Sequence, residues 1–575
     1  MGATIDLRLA AGDRERLAAV ADHARRDEWA RRLMDRDTSL WSTDRAVQGA
    51  IADRLGWLDA PAHFGEQIGA LEGFGEGIRV AGFTTAVVMG MGGSSLAPEV
   101  LHRTFGSADG YLDLRILDST DPAAVAATLD DLDPLSTLWI VASKSGTTTE
   151  PLAFLADAWA RLDAALEAAI SDQEPGEFIV AITDPERSIR SIPHHDELRE
   201  VFLNPPDIGG RYSALSYVGL VPASLIGLDL DPLLASASMM LGACHEPDPD
   251  LNPGLLLGLA LGELARAGRD KLTFVTDPDL ASFGAWAEQL IAESTGKHGV
   301  GIVPVDREPL GSVAAYGADR AFVGLALAGS PDPSSGLLDE LAAAGHPVIR
   351  FTLDDPMDLG GEFIRWEVAT AFAGAVLGID PFDQPNVEEA KERTRRLLGG
   401  GEASRSSAAG SAPAAAADPA PAIQDIRALG ESGLAAAIRT SLGPRTAGRY
   451  AAIQAFIAPS PAADAAFDRI RALIRDRTGY ATTAGYGPRF LHSTGQLHKG
   501  GAPTGWFLQL TSAHPRDGRI PGWAYTFGHL IDAQAQGDAE ALAAHDLPMI
   551  RLRLGTDHEA DLAMLERAFA VALGS

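Results

Sequence analysis

The stretch at 138–159 constrains this chain more than any other. Its apolar run, Leu138-Trp139-Ile140-Val141-Ala142, has the composition of a buried strand. It breaks into Ser143-Lys144-Ser145-Gly146-Thr147-Thr148-Thr149, and a helical pattern follows from Glu150 through Leu152, Leu155 and Trp159. A strand feeding a helix through such a turn is how a chain cradles an anion, because the helix start offers unpaired N–H groups and a partial positive charge. A helix cap needs one hydroxyl, whereas five of these seven turn residues carry one. The turn therefore predicts a phosphate cradle in which the hydroxyls donate and Lys144 supplies charge.

The same unit recurs. Thr85-Ala86-Val87-Val88-Met89 is a strand pattern that ends in Gly90-Met91-Gly92-Gly93-Ser94-Ser95, with a helix pattern starting near Leu96. Glycines at such a turn let backbone N–H groups approach an anion closely. A dinucleotide fingerprint would need a third glycine where Ser95 stands, although an acid, Asp118, does follow the next strand pattern. Further strand patterns at 114–118 and 178–182, and from 272 onward at 272–275, 321–325 and 347–351, alternate with helices. Alternation of this kind predicts parallel sheets covered on both faces, with ligands beyond the carboxyl ends of the strands.

Length and charge bound the rest. The 575 residues allow two to four domains, and 46% hydrophobic content with a mean hydropathy of +0.02 is ample for sizeable cores. A net charge of -31 argues against nucleic acid and anionic membranes as partners. Cys244 is the single cysteine, so neither an intramolecular disulfide nor a cysteine metal cluster can form. With no signal-peptide pattern and no apolar run of membrane length, the expectation is a cytoplasmic protein.

Other residues invite chemistry. Ile208-Gly209-Gly210-Arg211 is a tight backbone that aims a guanidinium. In the helix pattern from Phe283, Gln289 and Glu293 are four apart and share a face, and Gly296 stops the helix. Glu293 thus sits near a helix C-terminus, where the dipole disfavours a carboxylate; that placement suits a general base. Lys391 lies in a charged helix. The segment 399–422, rich in Ala, Gly, Ser and Pro, predicts a flexible linker. Beyond it, Leu547-Pro548-Met549-Ile550-Arg551 resembles His346-Pro347-Val348-Ile349-Arg350, so 423–575 is expected to be a diverged half-copy of the second α/β unit. His492 and His498 have no acid between them, which favours acid–base work over metal binding. The expected divisions are a helical segment 1–58, α/β domains at 59–235 and 236–398, the linker, and the third α/β domain.

Five blocks now fall in one order: Gly90-Met91-Gly92-Gly93-Ser94, Ser143 through Glu150, Gly209-Gly210-Arg211-Tyr212-Ser213, Gln289 with Glu293-Ser294 and Gly296-Lys297, and Phe382-Asp383-Gln384-Pro385 with Val387-Glu388 and Lys391. This order resembles the glucose-6-phosphate isomerases, most closely the isomerase half of bacterial transaldolase–isomerase fusions. The resemblance implies two doubly wound parallel-sheet sugar-isomerase domains with a site between them. It implies aldose–ketose interconversion of glucose 6-phosphate and fructose 6-phosphate through an enediolate, with no metal and no cofactor. Its implied phosphate site is Gly93, Ser94, Ser143, Lys144, Ser145 and Thr148, with Gln289 helping. Glu293 matches the family's base, Arg211 the enediolate-stabilising arginine, and Lys391 the lysine near the ring oxygen. The family's ring-opening histidine segment is missing between Glu293 and Phe382, where Arg320 falls at its place. His492-Ser493-Thr494-Gly495-Gln496-Leu497-His498 matches it beyond the linker, so His492, with His498 as second choice, is expected at the site. Homodimers are a tendency of the family. Acceptance of mannose 6-phosphate, or a non-catalytic sugar-phosphate sensor, are the alternatives.

Overall fold

The computed structural model of the chain describes residues 5–330, 334–399 and 420–574. The expected linker falls largely on 400–419, outside the described residues.

Among the described residues, three five-stranded sheets organise the chain. In the first, β2 (Thr85–Gly90), β3 (Asp113–Leu117), β4 (Thr137–Ala142), β5 (Ile179–Thr183) and β6 (Glu200–Leu203) lie in the order β3-β2-β4-β5-β6, all parallel. Every residue of β4 is buried, as expected of a strand covered on both faces. The second sheet takes β7 (Lys271–Thr276), β8 (Val303–Val305), β9 (Arg320–Leu327) and β10 (Val348–Leu353). Its outer strand is β1 (Asp6–Arg8), which runs antiparallel to β10 with Leu7 opposite Ile349. The N-terminal segment is therefore not wholly helical. Its first described residues complete the edge of the second sheet before the helix Ala11–Arg26 begins.

The third sheet is built from β11 (Gln424–Asp425), β12 (Tyr450–Phe456), β13 (Ala481–Tyr486), β14 (Gly505–Ser512) and β15 (Met549–Leu554). Its order, β11-β15-β14-β12-β13, repeats β1-β10-β9-β7-β8 position for position. Helices repeat too: Ala281–Thr295 follows β7 and Pro461–Thr478 follows β12. Both run into the same dipeptide, Thr295-Gly296 and Thr478-Gly479. On that alignment Asp476 stands where Glu293 does, and it is a half-exposed carboxylate paired with Arg475. The two sheets differ in the sense of the outer strand, β1 being antiparallel to β10 and β11 parallel to β15, and in one connection. Between β8 and β9 the chain carries only the 3-10 turn Val313–Ala315, whereas between β13 and β14 it carries the 3-10 turn Arg489–His492 and the helix Gly495–Gly500.

Edge strands β8 and β13 are neighbours. Arg320 and Glu308, both wholly buried, form a two-pronged pair at 2.9 and 2.8 Å, and Glu308 also accepts from the Thr482 N–H and hydroxyl. Arg471 donates to the Asp306 and Arg307 carbonyls at 2.7 and 2.8 Å. Around them Ala292, Val303 and Val305 of the second unit share a core with Tyr450, Leu497 and Phe507 of the third. The third unit also reaches the first: Phe527 stacks on Phe154, with ring centroids 6.1 Å apart.

Candidate active site

β2 and β4 are adjacent, with Gly90 opposite Ala142, so the two predicted anion turns lie side by side. After β4, the Ser143 hydroxyl donates to Thr148 Oγ1 at 3.0 Å, and the Ser145 and Thr147 hydroxyls pair at 2.9 Å. Thr148 is the cap residue of the helix Thr149–Ala169, yet its side chain caps nothing. The hydroxyls thus hold one another while the first helical amides stay uncapped by side chains, as a cradle for an incoming anion requires. After β2, the helix Gly93–Phe105 begins at Gly92, whose φ of 56° is one that side-chain-bearing residues rarely adopt. A methyl group on Gly92 would lie 2.8 Å from both the Gln289 amide nitrogen and the His492 carbonyl oxygen. One on Gly93 would collide with the Gly210 carbonyl, so this turn abuts the Arg211 segment directly.

The helix Ala281–Thr295 brings Glu293 to the same place. Its Oε2 accepts from Gln289 Nε2 at 3.1 Å, and its Oε1 stands 3.5 Å from Arg211 Nη1. Arg211 is buried and fixed on every side. Its Nε donates to the Ser294 hydroxyl at 2.7 Å, Nη1 to Gln384 at 3.0 Å, and Nη2 to the carbonyls of Pro381 and Asp383. Lys297 holds the same turn, donating to the Asp380 and Asp383 carbonyls and to the Asp383 carboxylate.

His492 arrives from the third unit. Its carbonyl accepts from Gln289 at 2.8 Å, and its ring Nε2 lies 3.2 Å from Glu150 Oε1. Burial pushes the Glu150 carboxyl up, but His492, by charge and hydrogen bond, and Lys391 by charge bring it below its ordinary value. Three further contacts seat the turn that carries His492. Arg489 pairs with Glu99 and, at 2.6 Å, with Asp118. Gln496 donates to the Gly296 carbonyl at 2.9 Å and to Asn386 at 2.8 Å. Leu497 packs tightly over Gly296.

Residues 50–307 match the phosphoglucose isomerase family. A glucose-6-phosphate isomerase of Rubrobacter xylanophilus is 31% identical over 403 residues, covering 62% of this chain and 91% of that one. One from Symbiobacterium thermophilum is 31% identical over 399 residues, covering 61% and 88%. The chain belongs to the phosphoglucose isomerase family. The solved structure of a hypothetical protein from Thermus thermophilus is similar as well, at 26% identity and a TM-score of 0.57, covering 69% of this chain and all of that one. The family match ends at residue 307, well short of His492.

Against that family's expected site, several placements differ. Lys144 turns its ammonium to Asp184 at 2.6 Å and to the Pro206 carbonyl, so two of its three donors are already engaged. Gln289 spends its amide nitrogen on Glu293 and the His492 carbonyl, which ties Glu293 to the histidine segment. His498 lies away from the cleft, among Tyr450, Phe490 and Phe507 and beside Gln454. Burial there, and then Lys499, push its ring down to about 3 and keep it neutral. Arg320 is the ion-pair partner of Glu308, and Asp118 that of Arg489. Lys391 sits on the helix Pro385–Leu397 and donates to Glu388 at 3.1 Å. Glu150, which meets the His492 ring, is a side chain that sequence reasoning passed over: it stood in the motif as a helix opener, and an acid in a first turn is usual there.

Proposed function

We propose that this chain is a glucose-6-phosphate isomerase that interconverts glucose 6-phosphate and fructose 6-phosphate. The observation that carries the reading is the Glu293 carboxylate, held between Gln289 and Arg211 and flanked by the two anion turns. The phosphate is taken by the turns at Gly93-Ser94 and at Ser143, Ser145 and Thr148, and its binding energy orients the distant carbons. His492, backed by Glu150 and with Lys391 beside it, gives a proton to the ring oxygen as the bond from C1 to that oxygen breaks and the C1 hydroxyl releases its proton to water, which leaves the open-chain aldehyde. Glu293 then removes the proton from C2 and returns it to C1. Arg211 faces the oxygen on which negative charge builds in the enediolate. Because His492 comes from the same chain as Glu293, one chain supplies the whole set.

The test is Glu293→Gln, which keeps size and hydrogen bonding but removes the proton acceptor. Conversion of fructose 6-phosphate, followed by coupled detection of glucose 6-phosphate, should fall by about 10²–10⁴. KM should change little. Near-parental turnover would end the assignment. Adding mannose 6-phosphate as a second substrate in the same assay decides the breadth of specificity.

A further inference from the structure

The acid side of the site carries a hydrogen-bond chain that crosses between the first and third units at every link. Thr120 Oγ1, in the connection after β3, donates to Gln534 Oε1 at 2.7 Å. Gln534 Nε2, on the helix Phe527–Ala544, donates to Glu150 Oε1 at 2.6 Å. That same oxygen faces His492 Nε2 at 3.2 Å. Thr120, Gln534 and Glu150 are all buried. Chemistry fixes the order of atoms: an ionised carboxylate only accepts, so the amide must turn its nitrogen to Glu150. Its oxygen then needs a donor, and the Thr120 hydroxyl is the one in place. Phe527, on the same helix, stacks on Phe154, one turn beyond Glu150 on its own helix.

We propose that Gln534 is a positioning residue of the isomerase, acting through Glu150 on the strength of His492 as an acid. The proposal rests on the function proposed above, in which His492 opens the ring. A carboxylate beside a histidine stabilises its protonated form. A second donor on the same carboxylate oxygen takes up part of that basicity. Gln534 thus weakens the hold of Glu150 on the His492 proton and makes that proton easier to give to the ring oxygen. Among the described residues, Lys391, from the helix Pro385–Leu397, and Tyr525, from the segment before the helix Phe527–Ala544, also act on Glu150 by charge. Neither competes for Glu150 Oε1 by a hydrogen bond of its own among the described residues. Gln534 also belongs to the unit that delivers His492, so docking of that unit and tuning of its histidine are one event.

The experiment compares pH–rate profiles of the full chain on glucose 6-phosphate for the parent, Gln534→Met and Thr120→Val. Methionine keeps the length of the glutamine but donates nothing, and valine keeps the shape of the threonine but frees the amide to turn. Without the competing donor Glu150 holds the proton harder, so the protonated histidine persists to higher pH. The alkaline limb of kcat should move up by roughly half to one pH unit in Gln534→Met, a fraction of the shift a neighbouring charge itself produces. The plateau should fall severalfold with KM unchanged. Thr120→Val should move the limb the same way by less, and decides the matter alone if Gln534→Met does not fold by circular dichroism. A limb that superimposes on the parent's in the folded variants, whatever happens to kcat, overturns the proposal and leaves Gln534 a packing residue. A parent without isomerase activity overturns the proposed function instead, which is a different outcome of the same assay.

Discussion

Arg211 and Lys297 draw on one short stretch of backbone, both bonding the Asp383 carbonyl, so two buried cations and one turn define each other's positions. The ammonium of Lys297 is pushed down to about 8, first by burial and then by Arg211. The Phe382-Asp383-Gln384 block was legible as a motif, but its job was not: it supplies carbonyls, which no side-chain pattern announces. The two histidines show a second limit. They are six residues apart in one motif, and only the turn into the helix Gly495–Gly500 decides that His492 meets Glu150 while His498 enters an aromatic core. This makes His498 a stability group. Its folded value of about 3 lies below the ordinary 6.5, so between these pH values the unfolded chain binds a proton that the folded chain refuses. Stability is therefore lost as pH falls through that window. His498→Gln should keep isomerase activity within severalfold of the parent, and its urea midpoint should drop less between pH 7 and pH 5. An equal drop in both proteins would remove His498 as the cause.

Elements with long apolar runs declared themselves. β4 needed only Leu138 through Ala142 to be recognised, because burial on both faces demands such a run. β1 could not be found this way: Asp6-Leu7-Arg8 has one apolar residue, and it is a strand only because the edge of β10 accepts it. Arg320 was noticed for standing where a histidine was expected, but its role depends on Glu308 and Thr482, one of them in another unit. The pair is fully buried, so removing one partner strands the other's charge. Arg320→Leu should cost about 3–5 kcal/mol in urea unfolding. Adding Glu308→Leu should restore part of that loss, since a buried pair replaced by apolar side chains is often close to neutral. A loss below about 1 kcal/mol would mean that the seam behaves as a solvated surface pair.

At the scale of the whole molecule, the repeated sheet order explains why the histidine segment lay outside the stretch where sequence comparison sought it. The second unit carries Glu293 on the helix after β7, with only the 3-10 turn Val313–Ala315 between β8 and β9. The third unit has the same strand order, an exposed Asp476 where the base would be, and His492 in the matching connection. On the proposed function each copy carries one half of the proton chemistry, and edge-to-edge contact of β8 with β13 sets the two copies side by side. Repetition was visible in the sequence at β10 and β15, whereas the facing of the two copies was not, because it rests on contacts between residues more than 150 positions apart, such as Arg320 with Tyr480 and Arg471 with Arg307. The central claim is that a single chain completes the site. Its most direct test is co-expression of two differently tagged full-length variants, Glu293→Gln and His492→Ala, each nearly inactive alone. Activity is then assayed on glucose 6-phosphate in material purified through both tags and in the mixed pool. A site completed within one chain predicts no recovery in either sample. Recovery of a substantial share of parental activity would show His492 of one chain serving Glu293 of another, and would contradict the account.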